Sequence, residues 1–448
     1  MNLSLQEAYQ EHQKGNFQIA LECYEKLLKQ TPKDDQLIHL HGLLLIDLKE
    51  TKKGIRYLRK SIHLNPQEEQ YPFNLAICYN KTGQQSLAEP YLLPLLEKKP
   101  DNAAFLFELA ICYQGQGKYQ LAQEAYTKSI QINPSQPEVI FNYAMFLLLL
   151  GKWKEGYQQF EKRFSSKQFN NILEHFSKPR WHGEKTNHKI ILIYTEQGAG
   201  DNIQYARYFK VLKKYFNSIY VYGSPLLKCL IEPLNEIDKF ISFSEEIPDY
   251  DFFIPSMSIP HVVNLDEDFF SHKLPQFFLN PRSKKNLPKT QKNIGLVWKG
   301  NAEHIHDYKR SIPLNEIAPL IQSNETLNFI DLQYSKTSDE LQLLSTFPNF
   351  HSIPNSMDDF ETTAYTIQQC DLVICVDTAI AHIAGSLGIP TWLMISYVPD
   401  WRWQLKSPKT GWYPSMTLFR QSSKQNWNEV VQNIQQTLRA WTHQDKNP

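Results

Sequence analysis

The run 372–376, in the second half of the chain, leads into a turn that could bind phosphate. The run is apolar and short, as in a buried strand, and Asp377-Thr378-Ala379 follows it at the start of a helical pattern. The amides of Thr378 and Ala379 would then open a helix, and the first turn of a helix attracts anions. His382 lies one helical turn after Thr378, although a single helical histidine is more often a satisfied core residue.

A second junction of this kind occurs earlier in the chain, after the apolar run 190–195. It has the sequence Glu196-Gln197-Gly198-Ala199-Gly200-Asp201 and continues into a helical pattern. Gly198 and Gly200 would let the backbone approach another group closely. Asp201, taken alone, is best interpreted as an ordinary helix-capping acid.

A third segment of interest is a polar loop after the strand-like run 294–298. Gly300 and Asn301 close that run, and charged or polar side chains then follow in close succession. They are His304, His306, Asp307, Lys309, Arg310 and Ser311. One interpretation of this loop is a solvated surface turn.

The sequence does not indicate a metal site. Asp249-Tyr250-Asp251 and Asp266-Glu267-Asp268 match a two-acid pattern, but such a pattern arises readily by chance, and Mg²⁺ would need substrate phosphates beside it. The six cysteines are scattered singly and lack the paired spacing of metal or redox sites. We therefore expect no required metal, no cofactor and a reducing environment.

The first part of the chain gives a different signal, a period of 34 residues. Prolines recur at this period, at Pro32, Pro66, Pro100 and Pro134. Glycines fall where a helix must turn back, at Gly15, Gly83, Gly117 and Gly151. The pattern predicts helix-turn-helix units and resembles tetratricopeptide repeats, five of them over residues 1–163, of which the second lacks the turn glycine.

Stacked repeats of this kind form a superhelix with a concave face that usually binds partners. Aromatic and amide side chains recur at repeat positions that commonly face this groove, and we predict that they bind a polypeptide acceptor. They are Phe73, Asn74, Phe107, Phe141 and Asn142. Glu108 interrupts the row of asparagines.

Beyond residue 163, strand signals alternate with helix signals. They lie at 190–194 and 219–221 and, after a linker over 280–293 that is rich in Pro, Lys and Asn, at 294–298, 329–332, 372–376 and 391–395. Alternation implies parallel sheets, which bind ligands beyond the carboxyl ends of their strands. We predict two similar α/β lobes with the active site between them, and a closing amphipathic helix after Asn426.

The overall composition argues against two classes of partner. Lys plus Arg (47) equals Asp plus Glu (47), and no uninterrupted basic run exceeds two residues, so a nucleic-acid partner is not expected. The first 20 residues lack the apolar core of a signal peptide, and the longest apolar run, 144–150, is far shorter than a membrane span. We expect a cytoplasmic protein without a membrane span.

Together these segments resemble the heptosyltransferase-like glycosyltransferases and, more closely, bacterial tetratricopeptide-repeat glycosyltransferases. Protein O-GlcNAc transferase has the same general plan. The resemblance covers Pro179-Arg180-Trp181 and residues 196–207, 295–301, 310–314, 359–364, 377–390 and 401–414. It implies an α plus α/β fold, in which a tetratricopeptide solenoid, residues 1–163, precedes a GT-B domain with Rossmann-like lobes at 164–280 and 281–448.

The resemblance also implies roles for individual residues. Asp201 matches the acid proposed as catalytic base, and Lys309 or Arg310 would neutralise the departing diphosphate. Further residues match the segments that bind the nucleotide-sugar donor. They are Gly198, Gly200, Ser311, Asp377, Thr378, Ala379 and His382.

The resulting hypothesis is an inverting, metal-independent transfer of sugar from a nucleotide-activated donor to a polypeptide recruited by the array. A flagellin-like protein is one candidate acceptor, because bacterial relatives modify flagellin. Two alternatives remain, a non-catalytic scaffold that holds a nucleotide sugar and a transferase for a saccharide or lipid acceptor. The aromatic cluster Trp401, Trp403, Trp412 and Tyr413 is interpreted as packing between the lobes rather than as a sugar platform.

Overall fold

The computed structural model describes residues 4–166, 169–186, 188–264, 287, 291–304, 307–353 and 359–444. Packing divides the chain into two compact units, Met1–Val139 and Ile140–Pro448. Three features of the sequence analysis lie outside the described residues: His306, Asp266-Glu267-Asp268 and most of the linker 280–293. No helix within the described ranges is both long enough and apolar enough to cross a membrane.

The first unit consists of consecutive helix pairs. Its helices are α1 (Leu5–Gln13), α2 (Phe17–Gln30), α3 (Asp35–Asp47), α4 (Thr51–Leu64), α5 (Gln70–Lys81), α6 (Gln85–Lys98), α7 (Ala103–Gly115) and α8 (Tyr119–Ile132). The two helices of each pair pack together, and each of the first three pairs also packs on the next. The predicted array of helix-turn-helix units is confirmed for these residues.

The turn inside each of these pairs uses a residue with a left-handed backbone. Gly15, Gly83 and Gly117 have φ angles of 83°, 79° and 76°. The second pair lacks this glycine, and Lys49 takes the same conformation with φ 64°. A residue with a Cβ is strained there by roughly 1 kcal/mol, so the packing of the pair prevails over the local preference of Lys49.

The second unit begins with a fifth helical pair. The helices are α9 (Pro137–Leu149) and α10 (Trp153–Phe160), and the short turn Glu161–Ser165 and α11 (Asn170–Glu174) follow. The repeat period assigns this pair to the array, yet its residues from Ile140 onward belong to the second compact unit. The reason lies in α10, whose buried Trp153 and Tyr157 contact residues of the α/β region.

The rest of the second unit alternates strands and helices, as the sequence predicts. The strands are β1 (Ile190–Tyr194), β2 (Ser218–Gly223), β3 (Lys239–Ser242), β4 (Phe252–Pro255), β5 (Asn293–Val297), β6 (Asn328–Asp331), β7 (Phe350–His351), β8 (Leu372–Val376), β9 (Thr391–Ile395) and β10 (Met416–Arg420). The helices are α12 (Ala199–Tyr205), α13 (Phe209–Leu212), α14 (Lys228–Ile231), α15 (Ile259–Val262), α16 (Asp307–Arg310), α17 (Leu314–Gln322), α18 (Ser338–Leu344), α19 (Phe360–Gln368), α20 (Ala379–Ser386) and α21 (Trp427–Gln444). The last of these is the predicted closing helix.

The strands form two parallel sheets with related topologies. The first has the order β3-β2-β1-β4 and the second the order β10-β9-β8-β5-β6-β7. Read from its β7 edge, the second sheet has the strand order 3-2-1-4-5-6 of the doubly wound nucleotide-binding fold, and the first has the 3-2-1-4 part of it. In each sheet the strand order reverses beside the first strand, β1 or β5. A ligand crevice is therefore expected beyond the carboxyl ends of β1, β4, β5 and β8.

Candidate functional site

The two strand-to-helix junctions predicted from the sequence meet in the structure. One joins β1 to α12, and the other joins β8 to α20. Gly200 lies so close to α20 that a Cβ at this position would be 2.8 Å from His382 Cδ2 and 3.5 Å from Ala379 Cα. The first turns of α12 and α20 are thus in contact at the carboxyl ends of two strands. Only glycine fits at position 200 without a shift of its neighbours.

Asp201 is the third residue of α12 and makes two polar contacts. Its Oδ2 accepts a hydrogen bond from the Gly198 amide at 2.9 Å, which closes a capping box at the start of the helix. Its Oδ1 is paired with the Nη2 of Arg402. The capping function inferred from the sequence is confirmed, although the N-cap residue itself is Gly198. The ion pair with Arg402 was not foreseen.

Arg402 follows β9 of the second sheet, bonds to residues that follow β1 of the first sheet, and is the main site residue that the sequence does not reveal. Besides Asp201, its guanidinium contacts Asp400 Oδ1 through Nη1 at 2.7 Å and Gln204 Oε1 through Nε at 2.6 Å. It lies 4.4 Å above the centre of the Trp401 ring. The only sequence signal is an arginine between two tryptophans with an acid before them, Asp400-Trp401-Arg402-Trp403, and that pattern does not reveal partners about 200 positions away.

The polar loop after β5 folds against the end of β8. Arg310 donates through Nη1 to the backbone carbonyl of Asp377 at 2.8 Å and through Nε to Asp307 at 3.2 Å. Ser311 donates to Asp307 at 2.7 Å and accepts from the Gly300 amide at 2.9 Å. Burial raises the pKa of Asp377 to about 6, and the nearby Asp400 adds to the rise. The loop is therefore not a detached surface turn, because Arg310 reaches the candidate crevice.

Lys309 is a further cation of this loop. Burial lowers the pKa of Lys309 to about 8, and the positive charge of Lys424 adds to the shift. Among the described residues, Lys309 forms no ion pair. An ammonium group in such surroundings favours an anionic ligand, since the ligand would compensate the charge that the protein leaves uncompensated.

Thr378 and His382, at the start of α20, differ in their hydrogen bonding. Thr378 is the N-cap residue, yet its side chain makes no capping bond, and its buried Oγ1 has no hydrogen-bond partner among the described residues. His382 is 4% exposed, and its Nδ1 lies 2.9 Å from the Tyr413 hydroxyl. Burial lowers the pKa of His382 well below its usual range, and Arg402 and Arg207 contribute. His382 is therefore a neutral core residue bonded through Nδ1, whereas the Thr378 hydroxyl has no partner among the described residues.

The aromatic cluster fills the junction between the lobes. Trp401, Trp403, Trp412 and Tyr413 are between 1% and 3% exposed. Arg207 of the first lobe donates to the Trp412 carbonyl at 2.7 Å and lies over the Trp412 and Tyr413 rings. The interpretation as packing is confirmed.

The predicted acceptor-binding residues are divided between the two units. In the first unit, Phe73 packs on Phe105 with ring centres 4.8 Å apart, and Phe107 packs on Tyr126 at 6.2 Å. The Asn74 amide is 2.9 Å from His39 Nε2 and accepts from Gln70 at 2.7 Å, so it is already engaged within the array.

Phe141 and Asn142 lie in the second unit instead. The Phe141 ring is 5.5 Å from the Phe160 ring and 5.6 Å from the Phe169 ring. Phe141 is thus a packing residue of the fifth helical pair. The five residues do not all belong to one compact unit, because the period that relates them crosses the boundary between the units.

The first two-acid motif has a structural role. Asp249 pairs with Lys178 at 3.0 Å. Asp251 pairs with Lys189 at 2.7 Å and accepts from the Ile190 amide at 2.8 Å. These contacts hold the amino end of β1, opposite the end that carries Glu196. In the part of the chain that the structure describes, no group of three or more His, Cys, Asp or Glu side chains is arranged to hold a metal ion.

Comparison with known proteins identifies the repeat directly. A family model described as tetratricopeptide repeat matches residues 103–136, which contain α7 and α8. The curated protein FlbA of Caulobacter vibrioides is 24% identical over 343 residues, which cover 65% of this chain and 53% of FlbA. The chain therefore spans about half the length of this curated relative.

Solved structures of MamA also match. The structure of MamA from residue 41 onward, from Desulfovibrio magneticus RS-1, is 17% identical with a TM-score of 0.33 and covers 37% of this chain and 92% of that one. A second crystal structure of MamA is 20% identical with a TM-score of 0.32 and covers 38% and 97%. TM-scores this low carry no argument about the present chain. The comparisons thus show a tetratricopeptide repeat in the fourth helical pair and weak similarity to FlbA.

Proposed function

We propose that the chain is a glycosyltransferase of GT-B architecture that moves a sugar from a nucleoside diphosphate to a polypeptide. The observation that carries this proposal is the junction at the start of α20. There the buried Thr378 hydroxyl, which has no partner in the part of the chain that the structure describes, lies with the amides of the first helical turn and the Arg310 guanidinium at the end of β8. Such a set suits a diphosphate, which needs several donors and positive charge.

The proposed reaction is a direct displacement. The acceptor hydroxyl attacks the anomeric carbon while the bond from that carbon to the diphosphate oxygen breaks, and the hydroxyl proton passes to Asp201. The negative charge left on the diphosphate is met by Arg310, Lys309 and the α20 amides, which supply the stabilisation that a metal ion supplies elsewhere. Attack from the face opposite the leaving group gives inversion. Neutral His382 would contribute a hydrogen bond rather than charge.

The array supports the choice of acceptor. Tetratricopeptide repeats bind extended polypeptides along a concave face, and the family match to residues 103–136 supports this role for the first unit. A polypeptide hydroxyl is therefore the acceptor we propose, with a flagellin-like protein as one candidate. Phe73 and Phe107 are half-buried and remain candidates for contact with it.

The test is a transfer assay with the full chain. Nucleoside diphosphate sugars of uridine, guanosine, thymidine and adenosine are incubated with a flagellin-like acceptor in the presence of a chelator. We expect release of one nucleoside diphosphate and a matching increase in acceptor mass. Asp201→Asn should abolish transfer while donor affinity stays nearly unchanged. Asp251→Asn, which alters a partly exposed ion pair at the other end of β1, is the matched control.

Full transfer by Asp201→Asn would remove that residue from the role of base. A second candidate function is a scaffold that holds a nucleotide sugar without transferring it. The engagement of both Asp201 oxygens, by Gly198 and Arg402, favours this alternative. Nucleotide binding without release of a diphosphate from any of the four donor types would support the scaffold and exclude the transferase.

A further inference from the structure

The loop that carries Asp201 is strained and is fixed by its surroundings. Gln197 has φ 65°, a conformation that a residue with a Cβ rarely adopts. The Asn202 side chain donates to the carbonyls on either side of Gln197, to Glu196 at 3.0 Å and Gly198 at 2.9 Å. Its amide oxygen accepts from Ser256 at 3.2 Å. Strain of this kind persists only where neighbouring contacts determine the conformation, and it is often found at functional sites.

One of those contacts comes from the end of the fifth helical pair. Arg163 is 0% exposed and donates to both carboxylate oxygens of Glu196, at 2.7 and 3.3 Å. It also donates to Ser258 at 2.8 Å, to Glu161 at 2.9 Å and to the Phe160 carbonyl at 3.2 Å. A guanidinium has five N–H groups, and these five bonds match that number. Arg163 thus fixes the first residue of the strained loop from outside the α/β region.

The same helical pair also contacts α12, the helix that follows the loop. The Tyr157 and Tyr205 hydroxyls are 2.8 Å apart. Tyr205 lies four residues after Asp201 and therefore on the same face of the helix. Along the chain, Asp201 consequently lies between two residues, Glu196 and Tyr205, that residues 153–163 hold in place.

Stability alone does not account for a buried ion pair at this place. The desolvation of two charges roughly offsets their attraction, and apolar side chains of similar volume are often as stable. What the pair provides is a defined geometry, because a bidentate guanidinium fixes both oxygens of a carboxylate. Glu196 also accepts from the Met257 amide at 3.1 Å, so the pair joins the ends of β1 and β4.

We propose that Arg163 is a positioning residue for the loop Glu196–Asp201, through which the fifth helical pair sets the geometry of the catalytic crevice. The inference rests on the proposed function for its catalytic consequence, but its structural part does not. The fifth helical pair, which the repeat period assigns to the partner-binding array, is then part of the transferase site. A loop released from Arg163 would keep its donor site in α20 and lose the alignment of Asp201.

The test compares Arg163→Lys and Tyr157→Phe with wild type in the full chain, and uses Lys189→Met as a matched control at the other end of β1. Hydrogen exchange is measured for peptides over 196–205 and over 372–386. We expect peptide 196–205 to exchange about tenfold faster in both variants, and peptide 372–386 to exchange as in wild type. In the control Lys189→Met, the melting midpoint should not change. This readout needs no substrate.

In the transfer assay, kcat should fall by about tenfold or more in Arg163→Lys at an unchanged donor KM, since a small displacement of a reacting group costs rate rather than affinity. Wild-type exchange of peptide 196–205 in both variants would overturn the proposal, as would equal acceleration throughout the second unit. If Arg163→Lys does not fold, Glu196→Gln, which keeps the size of the side chain and removes the charge that Arg163 pairs with, decides the question. Absence of transfer by wild type would refute the proposed function and leave the exchange test valid.

Discussion

The fourth and fifth helical pairs follow the same sequence period but use the same position differently. Ser129 of the fourth pair is buried and donates to the Ala103 carbonyl at 2.7 Å, within its own pair. Arg163 stands one period later, is equally buried and pairs with Glu196 of the α/β region. The earlier repeats carry small or apolar residues at this position, at Leu27, Ser61 and Leu95. The sequence period thus predicts the helices. The change of residue type at Arg163 indicates that this position contacts a different part of the chain.

The two units can be followed separately during unfolding. All nine tryptophans, from Trp153 to Trp441, lie in the second unit. Indole fluorescence therefore reports on the second unit, whereas the far-ultraviolet signal is dominated by the helices of both units. A change seen by circular dichroism but not by fluorescence is therefore assigned to the first unit.

The largest loss of stability is expected when Arg163 of the fifth pair is replaced by serine, the residue that the fourth pair has at the same position. Arg163→Ser leaves the buried Glu196 carboxylate without its cation, which typically costs about 3–5 kcal/mol. The matched change Ser129→Ala removes one neutral hydrogen bond and should cost about 1 kcal/mol. Urea unfolding followed by fluorescence measures the first change in the second unit, and urea unfolding followed by circular dichroism measures the second change in the first unit. A similar small cost for both would mean that the two positions are equivalent after all.

Acid should weaken the first unit through a residue that also departs from the period. His39 stands at a position where later repeats have phenylalanine. Burial lowers the pKa of His39 to about 4, and the nearby Asp35 opposes this shift. The folded pKa lies below the unfolded value of about 6.5, so stability is complete above pH 6.5 and is lost as the pH falls towards 4, by up to about 3 kcal/mol. His39→Phe should flatten this dependence in melts followed by circular dichroism. An unaltered dependence in that variant would assign the effect to other groups.

The smallest effect concerns the turn of the second pair. Lys49 holds the left-handed conformation that Gly117 and Gly151 hold in the fourth and fifth pairs. Lys49→Gly should raise the free energy of unfolding of the first unit by about 0.5–1 kcal/mol, because the strain is removed at some entropic cost. Urea unfolding followed by circular dichroism measures the gain. A loss of stability would show that Lys49 contributes contacts that exceed its strain.

The sequence predicts the elements well where local pattern determines them. The runs 190–194, 372–376 and 391–395 coincide with β1, β8 and β9, since fully buried parallel strands read as continuous apolar segments. Residues 103–136 carry a family pattern that is recognisable without a structure. The sequence does not predict where α9 and α10 pack, because helices with the same period can pack either on the preceding repeat or on the region that follows in the chain.

The site is predicted only in part, for a physical reason. Strand ends and helix starts are local, so Thr378 and Asp201 are found at the junctions where the sequence puts them. Partners such as Arg402 for Asp201 depend on how the two lobes meet, 201 positions apart in the chain. Arg163 shows the same limit, because nothing near it in the sequence reveals that Glu196 lies beside it.

The most direct test of the account is whether the start of α20 binds a nucleoside diphosphate. Isothermal titration of the full chain with UDP, GDP, TDP and ADP, with a chelator present, should identify at least one ligand. Thr378→Val and Arg310→Met should then weaken binding about tenfold or more, and Lys189→Met, far from the site at the other end of β1, should not. Binding of the same affinity in wild type and in both site variants, or no binding of any of the four nucleotides, would contradict the account.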